Sequence, residues 1–147
     1  MTHYLYVAGP MRHIKEFNFP AFRRATKILR ARGFHVTSPH ESDEAAGYNW
    51  EGCTGYEDLA AHGFNLEDRL IEDILAVSEV DAVVVLEGWK NSAGARAEAS
   101  FAWAVGTKVF AFEEGNRING FTNSLTELTK GIIIPAEHPA TVEEWTG

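Results

Sequence analysis

The chain has 147 residues, 45% of them hydrophobic, which is enough for one compact domain with a real core and calls for no linker or second domain. Its 13 Lys and Arg against 21 Asp and Glu leave a net charge of −8, which argues against a broad nucleic-acid surface built on phosphate neutralisation but not against a small anionic ligand held by local groups. No run approaches the roughly 18 apolar residues of a membrane span, the N-terminus has no basic leader, and the single Cys53 excludes an internal disulfide, so a soluble, unexported, cytoplasmic protein is expected.

Short apolar runs alternate with longer amphipathic stretches, the pattern of alternating strands and helices. Tyr4 to Ala8 reads as a first strand. Pro20 to Arg32 reads as a helix, opened by Pro in its first turn and closed by Gly33. Its basic run, Arg23 to Arg32, is accounted for as a solvated face opposite the stripe Phe22, Ala25, Ile28 and Leu29. His35 to Thr37 is a short second strand ending at Pro39. Residues 40–63 read as irregular, a lid or specificity loop with simple disorder as the alternative. Asn65 can cap a helix along the stripe Leu66, Leu70, Ile74 and Val77. Asp81 to Leu86 is a continuous apolar run, as in a strand covered on both faces. Ser92 can cap the helix that follows, which stops at Gly106; Lys108 to Phe112 and Ile132 to Ile134 are the last strands.

Five parallel strands with right-handed crossovers make an α/β, flavodoxin-like doubly wound sheet, in the order 2-1-3-4-5. In such a sheet ligands bind beyond the carboxyl ends of the strands where the order reverses, here between the loop Gly9-Pro10-Met11-Arg12 and the loop from Glu87 to Gly94. Two acids are out of place near that point. Helical spacing puts Glu98 on the stripe of Gly94, Phe101, Ala102 and Val105, and Asp73 on the inward stripe of the preceding helix. Burying an ionised carboxylate costs several kcal/mol unless it is paired, hydrogen-bonded or protonated, so two inward acids on neighbouring helices point to acid/base or nucleophile/acid chemistry.

Ser92 leaves the amides of Ala93, Gly94 and Ala95 able to face an anion, with Arg12 opposite as a clamp; a capped helix and nothing more is the plainer alternative. Tyr6 is either a packing aromatic or a phenol that reaches Glu98. Cys53 is either a loop residue or a thiol nucleophile. The six His show no metal-ligand spacing, and Walker, GxGxxG and GxSxG signatures are absent, so neither metal nor cofactor is expected.

Taken together, Tyr6 to Arg12 (YVAGPMR), Asp73 eight residues before Asp81, the strand DAVVVLEGW, and Ser92-x-Gly94-x-x-x-Glu98 resemble the nucleoside 2-deoxyribosyltransferase superfamily, which includes deoxynucleoside 5′-monophosphate N-glycosidases. AGPM, LEGW and SAGARAE also resemble a branch frequent in phage genomes, for which the host cytoplasm would be the location. The resemblance implies that Glu98 is the nucleophile, Tyr6 the phenol that positions it and Asp73 the acid that assists the departing base. It also implies that Ser92, where the nucleoside transferases have an Asp and the nucleotide hydrolases a Ser, favours a 5′-monophosphate and hydrolysis. Arg12 matches an Arg of the hydrolase phosphate loop, whereas Pro10 stands where the hydrolases have a phosphate-binding Ser. The family implies a homodimer or larger assembly with shared sites, to which Asn123 or Ser124 would contribute. Met11, Phe19, Tyr48, Trp50 and Trp89 are candidates to stack on a base, with core or lid packing as the alternative. Base exchange between deoxynucleosides and nucleotide binding without turnover are the other readings.

Overall fold

A computed structural model of the chain describes residues 3–112 and the backbone of 133–135. Strands β1 (Tyr4–Ala8), β2 (His35–Thr37), β3 (Ala82–Val85), β4 (Lys108–Phe112) and β5 (Ile133–Pro135) form one sheet in the order β2-β1-β3-β4-β5. The helices are α1 (Phe19–Ala31), α2 (Pro39–Ala45), α3 (Leu66–Val77) and α4 (Ala93–Ala104), with short 3-10 turns at Lys15–Asn18, Ala60–His62 and Trp89–Asn91.

β1 to β4 are parallel, as expected, but β5 runs antiparallel to β4, with Ala111 opposite Ile134. An edge strand pairs on one side only, so either direction satisfies its ladder, and a three-residue apolar run carries no signal of direction. Antiparallel edge strands on otherwise parallel sheets are common.

The period-2 alternation of β1 divides the core. Leu5 and Val7 face α1, meeting Phe22, Ala25, Leu29, Val84 and Leu86 in a wholly apolar cluster. Tyr6 and Ala8 face the other way, meeting Val83, Val85, Val77 of α3 and Ala95, Ala99 and Ala102 of α4. Each large aliphatic or aromatic side chain buried there contributes about 1.5–3 kcal/mol. Among the described residues, no helix is long and apolar enough to cross a membrane.

Three local expectations change. Residues 39–45 form helix α2 rather than loop, opened by Ser38 with Pro39 in its first turn. It has no apolar stripe to read, because the side chains it buries include His40 and Asp43. The inward face of α4 is Ala95, Glu98, Ala99 and Ala102, rotated from the expected stripe, and Val105 past its end is 58% exposed. Alanines let this helix approach the sheet more closely than the bulkier Phe101 and Val105 would. On α3, Leu66 is exposed, Leu70 and Ile74 are half-buried and Val77 is buried, so the inward stripe deepens toward the carboxyl end.

The segment between α2 and α3 packs as a wall. Phe17, Phe19 and Trp50 are buried together, backed by Met11, Tyr48, Cys53, Leu59 and Phe64. Backbone bonds from the amides of His13 to Gly55 O (2.8 Å) and of Glu16 to Cys53 O (2.8 Å) join this wall to the loop after β1. Gly55 has φ +92°, and a Cβ there would lie 2.0 Å from the Ile14 carbonyl oxygen, so the junction admits only glycine.

Candidate active site

Where β1 and β3 end, their loops close on one another: Gly9 lies so near Leu86 that a Cβ would sit 2.9 Å from the Leu86 Cβ. The cleft beyond them has a volume of about 370 Å³. Gly9, Pro10, Met11 and Arg12 of the first loop and Ser92, Ala93, Gly94 and Ala95 at the start of α4 line it. Asp73, Glu98, Asp43 and Arg69 line it too, and Phe17, Phe19, Trp50 and Phe64 form an aromatic wall.

The Ser92 Oγ accepts from the Ala95 amide at 3.2 Å, a side-chain cap that occupies one of the three amides expected to face an anion. The amides of Ala93 and Gly94, which have no carbonyl to meet in the first helical turn, retain the favourable orientation and dipole for a negative group. Arg12 is exposed at the mouth of the same cleft.

Glu98 is 6% exposed, on the α4 face that meets Ala8, Val83 and Val85. Asp73 reaches the cleft from α3, whose start is fixed by Asn65 accepting from the Asp68 amide. Burial first, then the charge of Asp73, pushes Glu98 well above the usual carboxylate range. Burial first, then the charge of Asp43, raises Asp73 to about 7. Tyr6 lies fully buried in β1, and its hydroxyl stands in the field of both acids, more strongly that of Glu98. Burial and that field push the phenol up, so it stays a proton donor, and its donor favours the charged form of each acid. No hydrogen bond of good geometry ties the hydroxyl to a described group.

The structure thus brings together Glu98, Asp73, Gly9, Pro10, Met11, Arg12, Ser92 and Gly94 around one cleft, with Tyr6 buried in the core beside the two acids rather than lining it. Trp89 does not join them. It is buried on the α4 side of the sheet, its ring 6.1 Å from that of Trp103, because the 3-10 turn Trp89–Asn91 folds it inward under the helix. Phe19, Met11 and Trp50 face the cleft, whereas Tyr48 stands behind Trp50, stacked at 5.7 Å. Asn123 and Ser124 lie outside the described residues. Partial desolvation and the Glu57 carboxylate push the Cys53 thiol up, the opposite of an activated nucleophile. Among the described residues, no group of three His, Cys, Asp or Glu side chains is arranged to hold a metal ion.

Two cleft residues escaped the sequence reading. Asp43 of α2 accepts on Oδ1 from Arg69 Nε at 3.0 Å and Nη2 at 2.6 Å, and Arg69 Nη1 meets Glu72 at 3.1 Å. The place of Asp43 follows from α2. Its outer side is pinned to α1 by Arg30 to Glu41 and Arg23 to Glu44, each at 2.6 Å, which turns His40 and Asp43 inward. Only the one-turn spacing of those two polar residues, mistaken for loop composition, signalled it.

A four-strand parallel core with flanking helices is a fold that this chain shares with a solved structure. The 2-deoxyribosyltransferase of the psychrotolerant bacterium Bacillus psychrosaccharolyticus, described as a biocatalyst for nucleoside synthesis, has the same fold: the TM-score is 0.53 at 17% identity, covering 91% of this chain and 99% of that one. By sequence, the chain belongs to the family described as a domain of unknown function, DUF4406, which matches residues 3–111. No protein of curated function matches it.

Proposed function

We propose that this protein hydrolyses the N-glycosidic bond of a (deoxy)nucleoside 5′-monophosphate, releasing the free base and the sugar 5-phosphate. The reading is carried by one observation: a buried Glu98 and an Asp73 raised to about 7 share a cleft that a helix amino terminus and Arg12 also line. The charge of Asp73 raises Glu98, so the two acids titrate as a coupled pair that keeps a proton at neutral pH. The reaction needs the charge on Glu98 and the proton on Asp73, and the Tyr6 phenol, which feels Glu98 the more strongly of the two acids, supplies a donor that favours charge on Glu98.

Glu98 then attacks the anomeric carbon as the C–N bond breaks, and the bonding pair leaves with the base, which takes the proton of Asp73. The glycosyl ester on Glu98 is cleaved by water, whose proton returns to Asp73 while Glu98 regains its charge. Arg12 and the amides of Ala93 and Gly94 hold the 5′-phosphate, the charge that a clamp of this kind selects. The apolar wall of Phe17, Phe19 and Trp50 receives the base.

Incubation with a panel of nucleoside monophosphates, ribo and deoxy, with modified bases included, tests this by chromatography. Free base is expected from at least one, and none from Glu98→Gln. Absence of base from every substrate rejects hydrolysis. The fold shared with a 2-deoxyribosyltransferase favours base exchange as the second reading. A new nucleoside formed when an acceptor base is added, with unphosphorylated donors preferred, would put exchange in place of hydrolysis. Saturable nucleotide binding without turnover, unchanged in Glu98→Ala, would point instead to a binding module.

A further inference from the structure

Arg69 poses a problem for the acid beside it. It stands four residues before Asp73 on α3, and side chains at that spacing are neighbours, about 5–6 Å apart at Cβ. The two sense one another's charge. A free guanidinium there would pair with Asp73 and hold it ionised, unable to protonate a leaving base. The structure instead directs the guanidinium at Asp43, through two bonds to one oxygen. Glu72 takes a third bond, but its side chain is 58% exposed, so water screens most of that attraction. The Asp43 side chain is 5% exposed and that of Arg69 14%, so this contact is the one that neutralises Arg69.

We propose that Asp43 is a positioning residue for the acid chemistry: by capturing Arg69 it prevents an Arg69–Asp73 ion pair and leaves the proton on Asp73 for the departing base. The proposal rests on the N-glycosidase reading for its purpose, though not for its physics. The groups facing Asp73 are Tyr6 from β1, Asp43 from α2, Arg69 and Glu72 from its own helix and Glu98 from α4, with Arg12 at the mouth of the cleft. Of these, Arg69 is the cation that holds Asp73 down, and Asp43 is the group that both bonds Arg69 and repels charge on Asp73.

The test is a carbon-detected NMR titration of the Asp73 carboxyl in wild type, Asp43→Asn, and Asp43→Asn combined with Arg69→Gln. The Asn side chain keeps shape and an acceptor oxygen but removes the charge. In Asp43→Asn the Asp73 midpoint is expected to fall by about one pH unit or more, and in the double variant to return toward the wild-type position. If the Asn variant does not fold, Asp43→Ser carries the same expectation. An Asp73 midpoint that is unchanged when Asp43 loses its charge overturns the proposal, as does a double variant that stays at the single variant's midpoint. Where turnover is measurable, the alkaline fall of kcat/KM moves with the midpoint; a purely structural role would instead lower the rate equally at all pH values. A preparation without turnover rejects the N-glycosidase reading, while the titration still decides the role of Asp43.

Discussion

The two faces of the sheet are built from the same strands and do opposite work. Toward α1, Leu5, Val7, Val84 and Leu86 meet Phe22 and Leu29 with no ionisable group among them. Toward α3 and α4, Tyr6, Val83 and Val85 meet alanines, and the space those small side chains leave is occupied by Glu98 and approached by Asp73. The first face is a source of stability. The second holds acids whose raised pKa values mean that ionising them in place costs free energy. A fold with a strong core on one side can retain an unfavourable, reactive arrangement on the other.

The sharpest break of this contrast is Glu98→Gln. Turnover should fall by about ten-thousand-fold or more, in single-turnover assays of base release, if Glu98 is the nucleophile. Stability should move the other way. Glu98 has a folded pKa above its unfolded value, so its contribution is fully present at low pH and is lost as pH rises; the Gln variant should therefore melt higher than wild type at pH 8 and show a smaller advantage at pH 4.

Phe22→Ala tests the other face. It should cost about 3–5 kcal/mol in denaturant unfolding, yet leave kcat/KM per folded molecule close to wild type, since Phe22 packs in the apolar cluster with Leu5, Val7 and Leu29 and is not itself among the residues that line the cleft. A large kinetic defect in the folded fraction would show that the faces are not separable.

Asp73→Asn should lower kcat/KM by about 10²–10⁴-fold and remove an alkaline fall near pH 7 from the rate profile. The sign for stability follows the same rule as for Glu98. Asp73 rises from 3.8 to about 7, so its contribution is present below 3.8 and lost as pH climbs through 7, and Asn should gain about 2 kcal/mol over wild type between pH 4 and pH 8, after allowance for partial solvent contact. Thermal melts across that range check it. The smallest effect is expected from Arg12→Ala: being exposed, it should raise KM for a 5′-monophosphate by about tenfold and leave unphosphorylated nucleosides unaffected. Equal loss for both would remove Arg12 from phosphate recognition.

Much of this was legible in the chain because the signals are local. The apolar runs at 4–8, 82–85 and 108–112 mark the inner strands, and Asn65 and Ser92 mark helix starts that their side chains do cap. Glu98 stood out because an acid among alanines breaks a helical period, and the structure buries it. What escaped was non-local. Asp43 and Arg69 are 26 residues apart and meet only because α2 folds back against the cleft. Trp89 looked like a base platform because an aromatic in a loop at the strand-order reversal is well placed for one, and only packing under α4 shows that its ring is spent on the core.

By itself, the order of polar and apolar residues determined the strand sequence of the sheet, the strand-order reversal where the cleft lies, and the two helices that carry inward acids, because periodicity and capping act within a few residues. Tertiary structure alone decided the direction of β5, the aromatic wall, and the Asp43–Arg69 contact that governs the charge around Asp73. Those depend on which surfaces come within a few ångströms of each other, and both the burial that raises an acid and the partner that neutralises a cation exist only once distant segments have closed around the same cleft.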